Sequence, residues 1–365
     1  QKLAREMEER LFFLEKEIHE IAGEKFNIAS PKQLAEILFD NLGLPEIKKR
    51  STDSSVLEEL SVVAPHPIVE SIMEYREQKK LLSTYVSVLP SLILPKTNRI
   101  HTSFIQWGTA TGRLSSRDPN LQNIPIRSEN GKKIRAAFIP GNPENTILAV
   151  DYSQIELRML AHLSGDKNLI AAYSNDLDIH AQTASAIYGV SQEEVTSDQR
   201  RDAKVVNFGV LYGMTAFRLS RDLKISRKQA QEFIDGYFNL YSGVQEFIAK
   251  TIVDVHEKGY VETLSGRRRP IPGIFSTDKM ECKMAERMAV NTPVQGSAAD
   301  LIKIAMIRIS EKIYKESLPL KMMLQVHDEL AFECPKNLAE EMGKIVKQEM
   351  QNAMQLNVPL VASVG

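Results

Sequence analysis

The chain has 365 residues, 43% of them hydrophobic and 25% charged, with a formal net charge of −1. That length exceeds one ordinary domain of about 100–200 residues, and the composition excludes a disordered or low-complexity chain. No run approaches the roughly 18 apolar residues of a membrane span, and two cysteines, Cys282 and Cys334, are too few for a disulfide framework and have no metal-type spacing.

Leu3, Met7, Leu11, Leu14, Ile18 and Ile21 recur at three- and four-residue steps, which predicts an amphipathic helix over 3–21. Ser30 and Pro31 read as the N-cap and first residue of a second helix reaching Phe39. Leu42-Gly43-Leu44-Pro45 stops it, a polar and basic linker covers 45–54, and helix resumes to about Leu82. From about Arg99, short apolar runs alternate with turns. Residues 147–150 predict a buried strand ending at Asp151, and helical spacing returns over 153–163. The stretch from Asp166 to about Ile271 reads as mostly helical. Residues 322–326 and 330–334 predict a hairpin with an acidic tip, His327-Asp328-Glu329. Both cysteines are expected as buried thiols in a reducing compartment. The first residue is not Met and no terminal signal is visible, so the chain reads as a piece of a longer protein.

Two predicted strands lead into carboxylates, Asp151 and Asp328. Carboxylates on rigid strand ends that still reach solvent can grip a hard cation such as Mg²⁺ together with phosphate oxygens. Each alone reads better as a turn former. A second signal is local charge. Residues 198–228 hold eight basic side chains (Arg200, Arg201, Lys204, Arg218, Arg221, Lys224, Arg227, Lys228) against three acidic ones (Asp198, Asp202, Asp222). Arg200, Lys204, Phe208 and Tyr212 follow at four-residue steps, so they lie along one helix stripe. Cations followed by aromatic plates suit a triphosphate and its sugar or base. Gly209 and Gly213 would admit a close approach to the backbone. Basic clusters at 76–99 and at Arg267, Arg268 and Arg269 are further candidates for phosphate tracking.

Together these residues resemble the family A DNA polymerases. Asp151-Tyr152-Ser153-Gln154-Ile155-Glu156-Leu157-Arg158 is similar to motif A of that family. Arg200-Arg201-Asp202-Ala203-Lys204 with Asn207-Phe208-Gly209 and Tyr212-Gly213 is similar to motif B, and Val326-His327-Asp328-Glu329 to motif C. The 109–116 and 119–125 segments resemble the family's primer–template segment, and 291–296 resembles another. The likeness runs from about residue 10 to the end and is closest to the polymerase part (large-fragment type) of the bacterial members. Trp107-Gly108 depart from the pattern, and 45–52 is short for a thumb tip, as if a segment were missing there.

The resemblance implies an α+β fold shaped as a right hand. The N-terminal helix and thumb would cover 1–100, the antiparallel palm sheet 101–165 and 275–365, and the helical fingers 166–274. It implies a template-directed DNA polymerase that uses two Mg²⁺ ions and deoxynucleoside triphosphates. Asp151, Asp328 and the Tyr152 carbonyl would hold the metal, with Glu329 as a secondary acid. Arg200 and Lys204 would grip the triphosphate, with His180 and Gln154 nearby. Phe208 would contact the sugar and base, Tyr212 would sit by the templating position, and Glu156 would exclude ribonucleotides. Arg113, Asn291 and Gln295 would reach minor-groove acceptors common to all correct pairs. Thr109, Gln122, Asn123, Arg287 and His327 complete the expected DNA contacts. Primer–template DNA is the expected partner of a monomeric, cytoplasmic, nucleoid-associated protein with roles in replication and repair. No exonuclease-type acidic motif is present, so proofreading is not expected. Two alternatives are a single-subunit RNA polymerase, against which Glu156 speaks, and a catalytically silent DNA-binding scaffold.

Overall fold

Helix α1 spans Lys2–Ala22 and buries Met7, Leu11, Leu14 and Ile18, four of the six apolar positions whose spacing predicts it. Ser30 caps α2 (Pro31–Ala35), its hydroxyl accepting from Gln33 N at 3.4 Å. The helix then widens into a π-helical stretch, Glu36–Asn41, and so ends two residues beyond the predicted Phe39. Helices α3 (Ser54–Val63) and α4 (Pro67–Leu81) follow. The first buries Val56, Leu57 and Leu60 against Ile68, Val69 and Ile72 of the second, in one cluster with Leu34 and Leu38. In the linker, Arg50 is not a free cation, since it pairs with Asp40 at 2.6 Å and with Glu46 at 3.3 Å.

The structure, a computed structural model, describes residues 2–125 and 128–365. The chain divides into two compact units, Gln1–Ser103 with Arg117–Gly141, and Phe104–Ser116 with Asn142–Gly365. The first unit holds α1–α4, the short strands β1 (Ile93–Leu94) and β2 (Arg99–Ile100), and α5 (Glu129–Ala136). Two further short strands, β3 (Ser103–Ile105) and β4 (Ser115–Arg117), lie at the junctions.

In the second unit, β5 (Asn145–Tyr152) runs one residue past Asp151 rather than ending there. The extension has a cause in pairing: Asp151 is bracketed by Glu329 on β9 (Glu329–Pro335) and by Ser363 on β10 (Ala362–Val364). With β8 (Lys321–Val326) the order is β10-β5-β9-β8, antiparallel throughout. Leu148, Val150 and Tyr152 alternate into the core and meet Met342, Val346 and Met350 of α14 (Ala339–Gln351). The Tyr152 hydroxyl donates to the Met350 carbonyl at 2.6 Å.

Between β5 and the C-terminal strands lies a helical series. It comprises α6 (Ile155–Ser164), α7 (Lys167–Ser174), α8 (Ile179–Tyr188), α9 (Ser197–Leu211), α10 (Ala216–Leu223), α11 (Arg227–Leu240) and α12 (Ser242–Lys258). A small hairpin interrupts the predicted helical stretch, β6 (Tyr260–Glu262) with β7 (Arg268–Pro270). Helix α13 (Lys279–Glu316) runs 38 residues with Pro293 inside it. A proline there costs about 3 kcal/mol relative to alanine. Burial of Val294, Ala298, Leu301 and Ile302 overrides that local preference. Cys334 is buried as expected, whereas Cys282 is only half-buried on the first turn of α13.

Arg158 on α6 is a charged side chain only 5% exposed. Its guanidinium donates to Ser153 O at 2.9 Å and Pro359 O at 2.6 Å and lies 4.4 Å from the Tyr173 ring centre. Removing it leaves two partly buried carbonyls without these donors, at about 1–3 kcal/mol each. Arg158→Ala is therefore expected to destabilise the chain by roughly 2–4 kcal/mol in urea unfolding. An unchanged midpoint would show that water replaces the guanidinium.

Candidate active site

Strand alternation places Asp151 on the face opposite the core, exposed between buried Val150 and Tyr152. The β8–β9 hairpin turns through His327 and Asp328, with His327 in the left-handed region at φ 55°. The Asp328 carbonyl accepts from Tyr152 N at 3.1 Å. Two carboxylates from distant parts of the sequence thus open into one cavity of about 630 Å³. Burial raises the Asp328 pKa above its usual range, and the charges of Asp151 and Glu156 add to the rise. Gln325, 4% exposed, donates to the His327 carbonyl at 2.5 Å and steadies this turn from the cavity wall.

The raised pKa has a measurable consequence. Ionised Asp328 is disfavoured in the folded chain, so it costs stability above its folded pKa. That cost vanishes as pH falls below the unfolded value of about 3.9. Asp328→Asn is expected to raise the melting temperature at pH 7, with the gain shrinking toward pH 4. A lower melting temperature for the variant at pH 7 would refute this.

A second wall is built around Glu156, 8% exposed on the first turn of α6. It accepts from the Arg113 guanidinium and from the Tyr212 hydroxyl. Burial first, and then Glu156, raise the Tyr212 pKa, while a hydrogen bond from Gln295 opposes them. Arg113 stands on a loop clamped from behind. Lys303 Nζ donates to Gly112 O at 3.0 Å, and Arg267 Nη2 to Thr111 O at 2.7 Å. Gly112 has φ +80°, and the Arg267 guanidinium fills the place where a Cβ would stand. Asp300 holds Arg267 Nε at 3.0 Å and accepts from Thr263 Oγ1 at 2.7 Å.

The third wall is cationic and aromatic. Thr196 and Gln199 form a capping box that starts α9. Lys204 and Phe208 of that helix line the cavity, and so does Tyr212, which caps its C-terminal end. Facing them, His180 sits on the first turn of α8, after the Asp178 N-cap. Burial lowers the His180 pKa to about 4, so its ring is neutral at neutral pH. Gln154 Nε2 lies 3.5 Å from His180 Nε2, and Tyr173 donates to Gln154 Oε1 at 3.0 Å.

Of the residues singled out in the sequence, the cavity gathers Asp151, Tyr152, Gln154, Glu156, Arg113, His180, Lys204, Phe208, Tyr212, His327 and Asp328. It does not gather Arg200, whose Nε is held by Asp178 at 2.5 Å. Glu329 pairs in register with Asp151 without lining the cavity. Thr109 donates to the Arg113 carbonyl at 2.8 Å. Asn291 Oδ1 is buried without a hydrogen-bond partner among the described residues. Gln122 and Asn123 belong to the other unit.

The close approach expected at Gly213 is made by the Arg287 side chain, whose Cγ would lie 2.8 Å from an added Cβ; at Gly209 the neighbour is Met214. The chain's own side chains, not a ligand, explain these glycines. Two expected basic patches are likewise partly internal. Arg76 donates to the Thr52 carbonyl, Arg268 pairs with Glu262 at 2.6 Å, and Arg269 donates to Thr292 at 2.7 Å. Sequence reading missed Lys303 and Gln325, because neither stands in a recognisable pattern.

The DNA polymerase family A profile matches residues 1–365. The chain is 50% identical over 364 residues to DNA polymerase I of Caldicellulosiruptor bescii, which covers 99% of this chain and 42% of that protein. It is 50% identical over 363 residues to DNA polymerase I of Bacillus subtilis, covering 98% and 41%. With the thermostable DNA polymerase I of Thermus aquaticus it shares 50% over 369 residues, covering 100% and 44%. The chain therefore spans about two fifths of the length of these relatives. Among solved structures, the POL domain of Pol1 from M. smegmatis, in complex with DNA primer-template and dNTP, superposes with a TM-score of 0.95 at 39% identity, over 100% of this chain and 65% of that one. The sheet carrying two carboxylates, the helical walls facing it and these matches lead to one conclusion: the chain belongs to the family A DNA polymerases.

Proposed function

We propose that this chain extends a primer 3′ end by template-directed nucleotidyl transfer from deoxynucleoside triphosphates, in DNA replication and repair. The reading rests on one observation above all: Asp151 and Asp328 open into the same cavity as Lys204 and Phe208. The donor set suits hard divalent cations. Burial, with the charges of Asp151 and Glu156 adding to it, raises the Asp328 pKa, and carboxylates with a backbone carbonyl are what Mg²⁺ accepts. Asp151, Asp328 and the Tyr152 carbonyl would hold two ions. Bound there, Mg²⁺ would supply Lewis-acid stabilisation of the attacking and leaving oxygens.

The remaining work falls to the protein. Lys204 sets a fixed cation toward the triphosphate, where charge develops during transfer. Arg200 would join it once released from Asp178. Phe208 offers its ring to the sugar and base. Glu156, pinned by Arg113 and Tyr212, forms the wall against a 2′ hydroxyl. Arg113, Asn291 and Gln295 would test minor-groove acceptors of the nascent pair, with Thr109, Gln122, Asn123, Arg287 and His327 contacting primer and template and Glu329 in a secondary role. In this reading 1–100 contains the thumb, 101–165 and 275–365 the palm, and 166–274 the fingers. The fingers would close over a correct pair before chemistry. The protein would act as a monomer in the cytoplasm, at the nucleoid, and this part of it would not itself proofread. No described helix is long and apolar enough to cross a membrane. The deciding test is primer extension with a single correct deoxynucleotide. Failure of the purified chain to extend any primer–template would reject the proposal.

A further inference from the structure

Asn207 and Thr183 are polar, 2% and 0% exposed, and belong to no wall of the cavity. Thr183 Oγ1 lies 2.9 Å from Asn207 Oδ1, and Asn207 Nδ2 lies 2.8 Å from His180 Nδ1. An amide oxygen can only accept, so Thr183 donates to it. The amide NH₂ then faces the ring and donates to Nδ1. A neutral imidazole carries one proton, and with Nδ1 accepting, that proton is on Nε2. Nε2 is the nitrogen beside Gln154, whose own Nε2 lies 3.5 Å away because Tyr173 holds its oxygen. With Nε2 protonated, His180 and Gln154 present two neighbouring N–H donors, 3.5 Å apart, in a cavity that Lys204 also lines. That arrangement is satisfied by an anionic oxygen.

We infer that Asn207 is a positioning residue: backed by Thr183, it fixes His180 as the neutral Nε2–H tautomer, so that the ring donates to a triphosphate oxygen without first being protonated. The inference rests on the reading of this cavity as a deoxynucleotide site and goes beyond it by assigning the proton and the buried pair that places it. It also ties α8 to the helix that carries Lys204, since Asn207 lies on α9. Thr183 Oγ1 is 2.8 Å from the Ile179 carbonyl as well. Were its one proton given there, the Asn207 amide would turn and the ring proton would move to Nδ1, so the two arrangements differ in an observable way.

Long-range ¹H–¹⁵N correlation on chain labelled at histidine, bound to primer–template, reads the tautomer directly. His180 is assigned by the signal lost in His180→Gln. The Nε2–H form at neutral pH is expected, and the Nδ1–H form would overturn the inference. A second arm uses Asn207→Asp. A carboxylate demands an N–H at Nδ1, so this ring offers Nε2–H only as imidazolium. The charged groups around it are Asp178, which favours that cation, and Arg200 and Lys204, which oppose it. For the variant, KM for the deoxynucleotide should rise as pH rises through the pKa of the new pair, by about tenfold, while kcat changes less. Wild type should stay flat over about pH 6 to 8.5. Parallel pH profiles for variant and wild type would contradict the role. If the variant does not fold, the wild-type tautomer still decides. His180→Ala with unchanged KM would instead defeat the assignment of His180 to the nucleotide, leaving the tautomer result intact.

Discussion

Replacing Asp328 by alanine is expected to abolish primer extension while leaving primer–template binding within a few-fold of wild type. The expected loss is at least about a thousandfold, since removing a metal ligand forfeits several kcal/mol of transition-state stabilisation at about 1.4 kcal/mol per decade. Asp151→Ala should match it, because both carboxylates open into one cavity and the third that lines it, Glu156, is held by Arg113 and Tyr212. Glu329 pairs in register with Asp151 but does not line the cavity, so Glu329→Ala should lose far less. Single-turnover extension separates these outcomes from DNA binding measured by fluorescence anisotropy. Retained extension in Asp328→Ala, or equal losses at positions 328 and 329, would remove the carboxylate pair from the chemistry. The loss should be accompanied by no loss of fold, because burial already penalises the ionised Asp328 carboxyl. An acid whose burial costs stability and whose carboxyl opens into the cavity marks a position suited to function rather than to folding.

How far this site was legible in the sequence depends on the distance over which each residue finds its partners. The stripe Arg200, Lys204, Phe208, Tyr212 was readable because helical periodicity is local, yet Arg200 proves to be tied to Asp178 and Tyr212 lies just past the helix. The two carboxylates were individually ambiguous. Only the register Asp151 opposite Glu329 brings them together, and register is a property of the assembled sheet. Arg267 read as one of a basic cluster suited to phosphate tracking because its acid, Asp300, stands on another element; in the fold it holds the loop behind Arg113. Lys303 gave no signal at all, being one more lysine on a long helix until Gly112 is folded beneath it. Thr183, and the role of Asn207 beyond its place in a motif, were hidden for a related reason. A polar residue on a buried helix face looks like a packing fault until its partner is in view. The fold class was more accessible, since helix spacing, the 147–150 run and the C-terminal hairpin are all short-range patterns. Strand order was not.

Glu156 offers the second large effect, and its two roles can be separated. Its side chain forms part of the cavity wall, and its carboxylate accepts from Arg113 and Tyr212 at once. Glu156→Ala removes both bulk and charge. Opening the wall should relieve a steric penalty of roughly 1–3 kcal/mol against a 2′ hydroxyl, so the preference for deoxy- over ribonucleotides should fall about five- to 150-fold. The same change frees Arg113 and Tyr212 from a shared anchor, so deoxynucleotide incorporation should also slow. Glu156→Gln keeps the volume and an acceptor for the tyrosine hydroxyl but loses the charge opposite Arg113. It should therefore keep most of the sugar discrimination and lose efficiency with both sugars alike. Matched kcat/KM values for a deoxy- and a ribonucleotide triphosphate on wild type, Glu156→Ala and Glu156→Gln decide the matter. If the glutamine variant loses discrimination as fully as the alanine variant, charge rather than bulk sets the preference and the wall is misassigned. If wild type uses both sugars equally, the chain is closer in activity to the single-subunit RNA polymerases. The orientation of Glu156 argues against that outcome, because a carboxylate fixed by two donors cannot swing aside to admit the extra hydroxyl without breaking two charge-assisted hydrogen bonds.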